Sequence, residues 1–417
     1  MHIKALLTVL IFFWFLPSRS QTAYSPNILP LGDLEPMMAN TGTGGLASTG
    51  AVFYNPAALT MLKGTSFSLS GTAYLRYDFS VEPIATINNQ NLDFNATGYQ
   101  SIPTSIIMVK SVKDWKLAFS ALIPMDFRYN GQINWQVSTQ QETLDLNFIE
   151  NYKENLFLIG LSGARKINEH WSWGATIYLQ VFTFNTISDA KSQIIERPGT
   201  LTQLSNRSTV NPFNLVLFAG IHRKGDKVDL GLKLSTPSLY LFGTGDFYEF
   251  RYSNDLINAI EIEETNLTKV DTKFNSPAEI RIGAVFKPGE KWKIATDLSY
   301  NFKMKYDIYP SGELDDIEEL RSSYRLSSGG EYIMNKNISI YAGGSYTPSI
   351  KLSEENYKDP DYISIVTGFK LKSENFTSNL GLFYSLGKGE QPKSIGTGQT
   401  NLTYRYLGAF LGTNYKF

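Results

Sequence analysis

The sequence predicts an all-β chain closed into a transmembrane antiparallel barrel of about fourteen strands, with an N-terminal segment lodged as a plug in its lumen. Three observations lead there. Segments of about ten residues alternate apolar and polar side chains, the period of a strand whose two faces meet different surroundings. Short, lysine-rich polar turns alternate with long polar connections down the whole chain, an asymmetry that membrane barrels share and sandwiches have no reason to show. Finally, 24 Tyr, 26 Phe and 33 Gly accompany a complete lack of cysteine.

The N-terminus reads as an export signal over residues 1–20. His2 and Lys4 precede the apolar run "ALLTVLIFFWFLP", which is short for a bilayer span, and "SRS" sets small residues before a cut between Ser20 and Gln21. No second apolar stretch approaches the length of a spanning helix, so the mature chain crosses a membrane with strands or not at all. Lack of cysteine excludes a lipoprotein anchor, disulfides, thiolate catalysis and cysteine zinc sites. A formal charge of −1 gives no case for a nucleic-acid partner.

Residues 21–64 precede the first alternating segment and do not alternate themselves. Gly42, Gly44 and Ala47 fit the dinucleotide pattern G-x-G-x-x-[GA], yet the flanks "LGDLEPMM" and "AVFYNPAAL" supply no convincing strand, helix or downstream acid. Glycine mixed with Val, Phe, Tyr and Leu is unlike a disordered linker and fits a compact plug, in which glycines serve turns and close approach. Asn55-Pro56 favours a turn, and "AALTML" a short helix behind it.

Residues 65–417 form the barrel. In "SFSLSGTAYLRYDF" the residues Phe67, Leu69, Ala73, Leu75, Tyr77 and Phe79 share one face; "WSWGATIYLQV", "AEIRIGAVF", "WKIATDLSYNF", "NISIYAGGSY" and "FTSNLGLFYSL" alternate likewise. The turns "KSVKD", "KINEH", "KGDK", "KPGEK", "NKN" and "KSEN" belong at the periplasmic end, and long loops around 137–153 and 239–270 at the outside. The acidic runs "EIEET" (261–265) and "ELDDIEEL" (313–320) read as solvated loop faces. The third strand, "WKLAFSALIPMDFRYNGQINW", keeps its apolar parity (Trp115, Leu117, Phe119, Phe127, Ile133, Trp135) through Pro124 without a shift. Proline cannot donate to a ladder, so Pro124 is the candidate kink. The last strand sets Leu407, Ala409, Leu411, Thr413, Tyr415 and the terminal Phe417 on one face. Catalysis finds no footing: His170 and His222 lie beside turns and read as solvated, no nucleophile elbow or metal-ligand cluster occurs, and no cofactor is implied.

The glycine-rich run followed by an Asn-Pro-Ala element resembles the hatch of the FadL/TodX family of outer-membrane long-chain fatty acid and aromatic-hydrocarbon transporters. Gly42, Gly44 and Gly45 match the former and Asn55, Pro56 and Ala57 the latter; "NILPLG", residues 276–300 and residues 324–346 also look familial. The resemblance implies a fourteen-stranded barrel in the outer membrane of a Gram-negative bacterium, a monomer with a hydrophobic small-molecule ligand. It implies passive uptake by hatch movement and lateral release at a kinked third strand, here Pro124. Tyr415 and Phe417 resemble the terminal signal read by the barrel assembly machinery. Two other readings stay open: a component of type IX protein secretion, favoured by a lumen blocked with bulky side chains, and a general porin, favoured by a continuous wet lumen.

Overall fold

The computed structural model describes residues 29–417 apart from 88–89, 139–141, 198, 255–259, 313, 315, 349–357 and 393–397. The expected export signal therefore lies outside the described residues. The chain is all-β and closes into a 14-strand antiparallel barrel. In order come β1 (Ser66–Ile87), β2 (Gln90–Val112), β3 (Trp115–Ser138), β4 (Thr143–Lys166), β5 (Trp171–Ile194), β6 (Leu201–Arg223), β7 (Val228–Ser235), β8 (Leu239–Asn254) and β9 (Glu261–Asp271). They are followed by β10 (Glu279–Phe286), β11 (Trp292–Asn301), β12 (Met304–Asp307), β13 (Ile317–Leu320), β14 (Ser323–Ile333), β15 (Ile338–Thr347), β16 (Lys358–Lys372), β17 (Phe376–Pro392) and β18 (Gln399–Lys416).

Two staves are broken. The half of β6 nearest the short turns pairs with β7 and its other half with β8, so β7 and β8 are one stave interrupted at Pro237, and β9 and β10 are the next. β12 and β13 pair only with each other. The barrel closes where β1 meets β18, from Ser66↔Lys416 to Glu82↔Asn401.

The lysine-rich turns all lie at one end, together with the chain terminus, where Phe417 N–H donates to Thr65 O at 3.0 Å. At the other end the structure departs from the sequence reading. The supposed long loops around 137–153 and 239–270 are mostly strand, continued into tall hairpins, and "EIEET" is the first part of β9. Alternation persists there with its sense reversed, polar outward and aromatic inward, which a search for outward apolar faces passes over.

In β1 and β3 the reversal is built into the backbone. In β1 the register shifts between Thr72 and Tyr74; Phe67 and Leu69 are 40% and 44% exposed, whereas Leu75, Tyr77 and Phe79 are buried. The expected single face of β1 is thus two faces, because one extra residue turns every later side chain to the opposite side. β3 repeats the device. Its register shifts between Leu122 and Met125, so Leu117 and Phe119 point out while Phe127 and Ile133 point in. The parity that the sequence carries through Pro124 is real along the chain, but the bulge moves it from one side of the wall to the other.

Below the bulges the outer surface is an apolar belt, with Leu407, Leu411 and Tyr415 exposed on β18 and Trp171, Trp173 and Ile177 on β5. Aromatic pairs rim it: Trp115–Trp173 and Trp292–Tyr332 toward the short turns, Tyr74–Tyr99 and Tyr324–Tyr346 toward the hairpins. Such girdles suit the interfaces of a bilayer, where an amphipathic ring keeps one edge wet. No helix among the described residues is long and apolar enough to cross a membrane.

Candidate functional site

Residues 29–64 fill the lumen at the short-turn end. A 3-10 turn (Glu35–Met38), a single α-helical turn α1 (Ala51–Tyr54) and a 3-10 helix (Pro56–Met61) are almost entirely buried. Elements this short have little stability of their own, so contacts with the wall must hold them. Those contacts are apolar and polar together: Val52, Phe53 and Leu59 pack with Ile107, Leu158 and Phe218 of the wall, Met37 and Met38 pack with Val285, Tyr341 and Phe410, and hydrogen bonds fix the register. On β11, Asp297 Oδ2 accepts from Gly42 N–H (2.9 Å), Thr43 N–H (3.0 Å) and Thr43 Oγ1 (2.7 Å). Asn55 works in two directions: its Oδ1 accepts from Ala57 N–H and caps the 3-10 helix, while Nδ2 donates to Thr43 O (2.8 Å) and to Ile221 O of β6 (3.1 Å). Ser172 donates to Ala57 O, and Thr176 and Tyr178 both donate to Val52 O.

The wall accommodates the plug with cross-strand pairs of glycine: Gly174↔Gly220, Gly231↔Gly283, Gly329↔Gly343 and Gly368↔Gly381. A Cβ on Gly174 would sit 2.6 Å from Pro56 C, one on Gly231 1.7 Å from Thr43 O, and one on Gly329 2.5 Å from Met38 Cα. Glycine within a strand marks close backbone approach, and here the approaching backbone is the plug's own.

Each expected plug residue has a definite place. Gly42 offers its N–H to Asp297; Gly44 lies against the Ala284–Val285 backbone; Gly45 takes φ +92° beside Met61 and His222. Asn55, Pro56 and Ala57 form the turn and capped helix against β5 and β6. His222 is not solvated: it is buried on β6, with Nε2 3.1 Å from Gly44 O, because the inward face of this turn-proximal strand end is covered by the plug. His170 is exposed in its turn.

Sequence reasoning missed the acids inside and around the plug. Asp33 Oδ1 accepts from Thr49 N–H and Oγ1, and Glu35 accepts from Ser48 Oγ. Burial, with the Asp33 charge beside it, pushes the Glu35 carboxyl up to about 8. Around it Gly32, Gly42 and Gly50 leave no room for a side chain. On the wall, Glu279 joins Lys233 (2.8 Å) and Arg281 (2.9 Å). Plug rings cover these cations, Phe53 4.8 Å from Lys233 Nζ and Tyr54 5.5 Å from Arg281 Cζ.

Beyond the plug the lumen is lined with aromatic rings. Phe79 stacks on Tyr404 (4.6 Å), Tyr129 on Tyr152 (5.2 Å) and Phe182 on Phe274 (3.9 Å), with Tyr77, Phe94, Phe127 and Tyr406 in the same cluster. Two cavities of about 50 Å³ each border this region. One is lined by Phe182, Phe274, Tyr306 and Tyr309. The other lies between plug and wall, among Pro30, Pro36, Tyr362, Phe383 and Phe410.

The wall itself is interrupted beside this cluster. β2 and β3 pair from Val112↔Trp115 to Ser105↔Leu122 and again at Ala96↔Gly131, with no paired residue between. Residues 97–104 thus face 123–130 across an unzipped stretch that includes Pro124. Gln100 Nε2 spans it to Asp126 O at 3.2 Å. The β1 and β18 registers set its height: Pro103 lies level with Leu411 and Thr97 level with Arg405. The break therefore runs from within the apolar belt to its polar rim. Its inner side is covered by Tyr77 over Gly98 and Phe94 over Gly131. The first described residues of the plug reach its lower lip, where Thr104 Oγ1 donates to Pro30 O and Gly32 N–H to Ser105 Oγ, while Leu29 enters the aromatic cluster. At the far terminus Tyr415 and Phe417 project outward, 42% and 76% exposed, with ring centres 4.9 Å apart.

No family model matches the sequence, and no curated protein matches it. Solved structures do. The toluene transporter TodX of Pseudomonas putida aligns with a TM-score of 0.66 at 14% identity, over 94% of this chain and 99% of that one. A FadL homologue of Pseudomonas aeruginosa gives 0.61 at 14%, over 94% and 100%. The toluene transporter TbuX of Ralstonia pickettii gives 0.62 at 12%, over 93% and 98%. At such identities the likeness is one of fold, and it extends over nearly the whole chain.

Proposed function

We propose that this chain is an outer-membrane protein for passive uptake of hydrophobic small molecules, in which a movable plug closes the periplasmic side and ligand leaves sideways between β2 and β3. The observation that carries the reading is the junction of three features: an aromatic lumen, a break in the wall at belt height, and a plug whose residues Pro30 and Gly32 bond to the lip of that break. The fold neighbours, toluene transporters and a FadL homologue, support the same substrate class. An apolar ligand gains about 0.8 kcal/mol for each methylene buried, so it needs no charged anchor. A wall break inside the belt lets it pass to hydrocarbon without re-entering water. The polar part of the plug interface suits movement, while the apolar part, in which Phe53, Leu59 and Met37 pack on the wall, resists it. The hydrogen bonds are each worth only about 1 kcal/mol net, since water replaces them when the plug shifts.

Pro124 supplies the weakness in this mechanism, since it offers no ladder donor where β3 bulges. Replacing it with Val restores a donor. Uptake of labelled toluene or a labelled long-chain fatty acid by cells making Pro124→Val should fall, with assembly and thermal stability level or improved. Normal uptake with damaged assembly would assign Pro124 to folding and ligand exit to another route.

The packed lumen favours a second reading, a component of type IX protein secretion. Cavities of about 50 Å³ hold little more than water unless rings move. Mass spectrometry of lipids and hydrocarbons co-purifying with the detergent-solubilised protein separates the two: a bound apolar compound supports uptake, while none, together with unchanged uptake in cells lacking the chain, supports secretion. A general porin has no support from a lumen filled by plug and rings.

A further inference from the structure

The sheet order ends on β9. This strand pairs with β8 from Ser253↔Glu261 to Thr244↔Asp271, and no strand among the described residues borders its other side. The next staves among the described residues are short: β11, β14 and β15 are much shorter than the tall hairpins, and the β12–β13 hairpin that follows β11 pairs with no strand of the wall, so the outer edge of β9 has no strand beside it. Its outer part stands clear of the barrel, with every residue from Glu261 to Asn266 exposed and Ile262 at 63%. It is nonetheless held in place. Leu267 packs against the aromatic cluster, and Val270 is buried. A fixed strand with an open edge presents a row of backbone donors and acceptors ready to receive another strand.

Charge decides what could fill that edge. The hairpin carries Asp246, Glu249, Glu261, Glu263, Glu264 and Asp271 against Arg251 and Lys269. Arg251 is engaged by Glu249 at 2.9 Å and by Glu263 at 3.9 Å, and no cation among the described residues pairs with Glu261 or Glu264. A second copy of this chain would bring the same acids together across the new ladder, which like charges oppose. A lipid offers no matching row of amides. We propose that the free edge of β9 is a docking site for an extended, lysine- or arginine-rich peptide segment of another protein, added as a strand beside Glu261–Leu267. Backbone pairing would supply the hold, and the acidic side chains the selection.

The inference is independent of the transport reading, and its test involves no transported ligand. The full chain in detergent is titrated with a synthetic peptide of alternating lysine and valine, and with its glutamate–valine counterpart. Binding is read by fluorescence anisotropy and by hydrogen exchange of the β9 amides. The lysine peptide should bind and slow exchange at alternate amides of Glu261–Leu267, and the glutamate peptide should not bind. The double variant Glu261→Lys, Glu264→Lys should weaken binding by about tenfold at low salt and less at high salt. Successive residues send their N–H to opposite edges of a strand. One of Glu263→Pro and Glu264→Pro should therefore abolish binding while the β8–β9 ladder stays protected. Equal binding of both peptides, or binding without β9 protection, overturns the proposal, as does an affinity indifferent to all these changes. Protection that grows with protein concentration in the absence of peptide would assign the edge to self-association and overturn it too.

Discussion

Replacing one nitrogen by oxygen in the plug, Asn55→Asp, tests what holds it shut. Asn55 is fully buried; Oδ1 accepts from Ala57 N–H, and Nδ2 donates to Thr43 O and Ile221 O. A carboxylate keeps the helix cap and the shape but turns both donors into acceptors aimed at carbonyl oxygens. Two buried carbonyls then lose their partner, at about 1–3 kcal/mol each. Together that is about 2–6 kcal/mol, a shift of roughly thirty- to twenty-thousandfold toward the undocked plug at 1.4 kcal/mol per tenfold. The assay is hydrogen exchange over residues 39–59 in the detergent-solubilised protein, with strand circular dichroism on heating as a control for the barrel. Exchange of the plug should accelerate by a factor within that range while the barrel transition stays put, because β6 keeps its ladder to β5 and β7. Acidification should restore part of the protection relative to wild type at the same pH, since a protonated carboxyl can donate to one of the two carbonyls. Unchanged plug exchange at neutral pH would refute the reasoning, and so would a defect that deepens in acid.

Other consequences can be checked with the same material. Gly231→Ala puts a Cβ 1.7 Å from Thr43 O, a backbone atom that cannot swing aside, and should loosen the plug by about 1–3 kcal/mol or more; Gly330→Ala, whose nearest atom is Lys293 O at 3.9 Å, should change nothing in the same exchange measurement. Glu35, with its carboxyl raised to about 8 from an ordinary 4.5, retains a proton in the docked plug that the undocked chain has released. Docking should therefore be strongest below about 4.5 and weaken as pH rises through about 8; Glu35→Gln should flatten that dependence of plug exchange on pH, and a wild-type plug equally protected on both sides of the window would contradict the assignment. A reactive tag placed at Asp226, in the turn between β6 and β7, should label only after the outer membrane is permeabilised; labelling on intact cells would invert the topology.

The barrel and its turns were legible because period two and lysine-rich turns are local signals. "KGDK" and "KPGEK" need no knowledge of the fold to be read as turns, and they close β6–β7 and β10–β11 as expected. The plug was legible through Asn55-Pro56 and the glycine run. Its wall partners were less so, since Asp297 meets Gly42 across 255 positions of sequence and nothing local marks it. The wall glycines could have been found. Gly174, Gly231, Gly283 and Gly329 each interrupt an alternating strand, and glycine there announces backbone at close quarters. The tall hairpins were missed because above the belt the outer face turns polar, as at Arg76, Asp78 and Arg405, so the strand pattern survives while its apolar side changes.

That change of side joins the fold to the proposed function. Near the short turns the inner wall of β1 is small and polar, with Ser66, Ser68, Ser70 and Thr72 buried beneath the plug and Ser68 Oγ 2.6 Å from Thr49 Oγ1 of the plug. Farther up, the same wall must be apolar inside, to take a hydrophobic ligand, and there β1 turns Leu75, Tyr77 and Phe79 inward. β1, β2 and β3 meet both demands by flipping their alternation with an extra residue, whereas β5 keeps one parity throughout and instead changes the residues it turns inward, from Ser172 and Thr176 to Phe182 and Phe184. β1 shifts between Thr72 and Tyr74, β2 between its partners of Ser70 and Gly71, and β3 between Leu122 and Met125. Where the shifts of β2 and β3 face each other the ladder is missing, with no pair between Ser105↔Leu122 and Ala96↔Gly131, whereas β1 and β2 shift side by side and pair again from Leu75↔Gln100. The wall break thus coincides with the reversal of two neighbouring strands, and Pro124 lies within it, at the shift of β3 where no β2–β3 pair asks for its ladder donor.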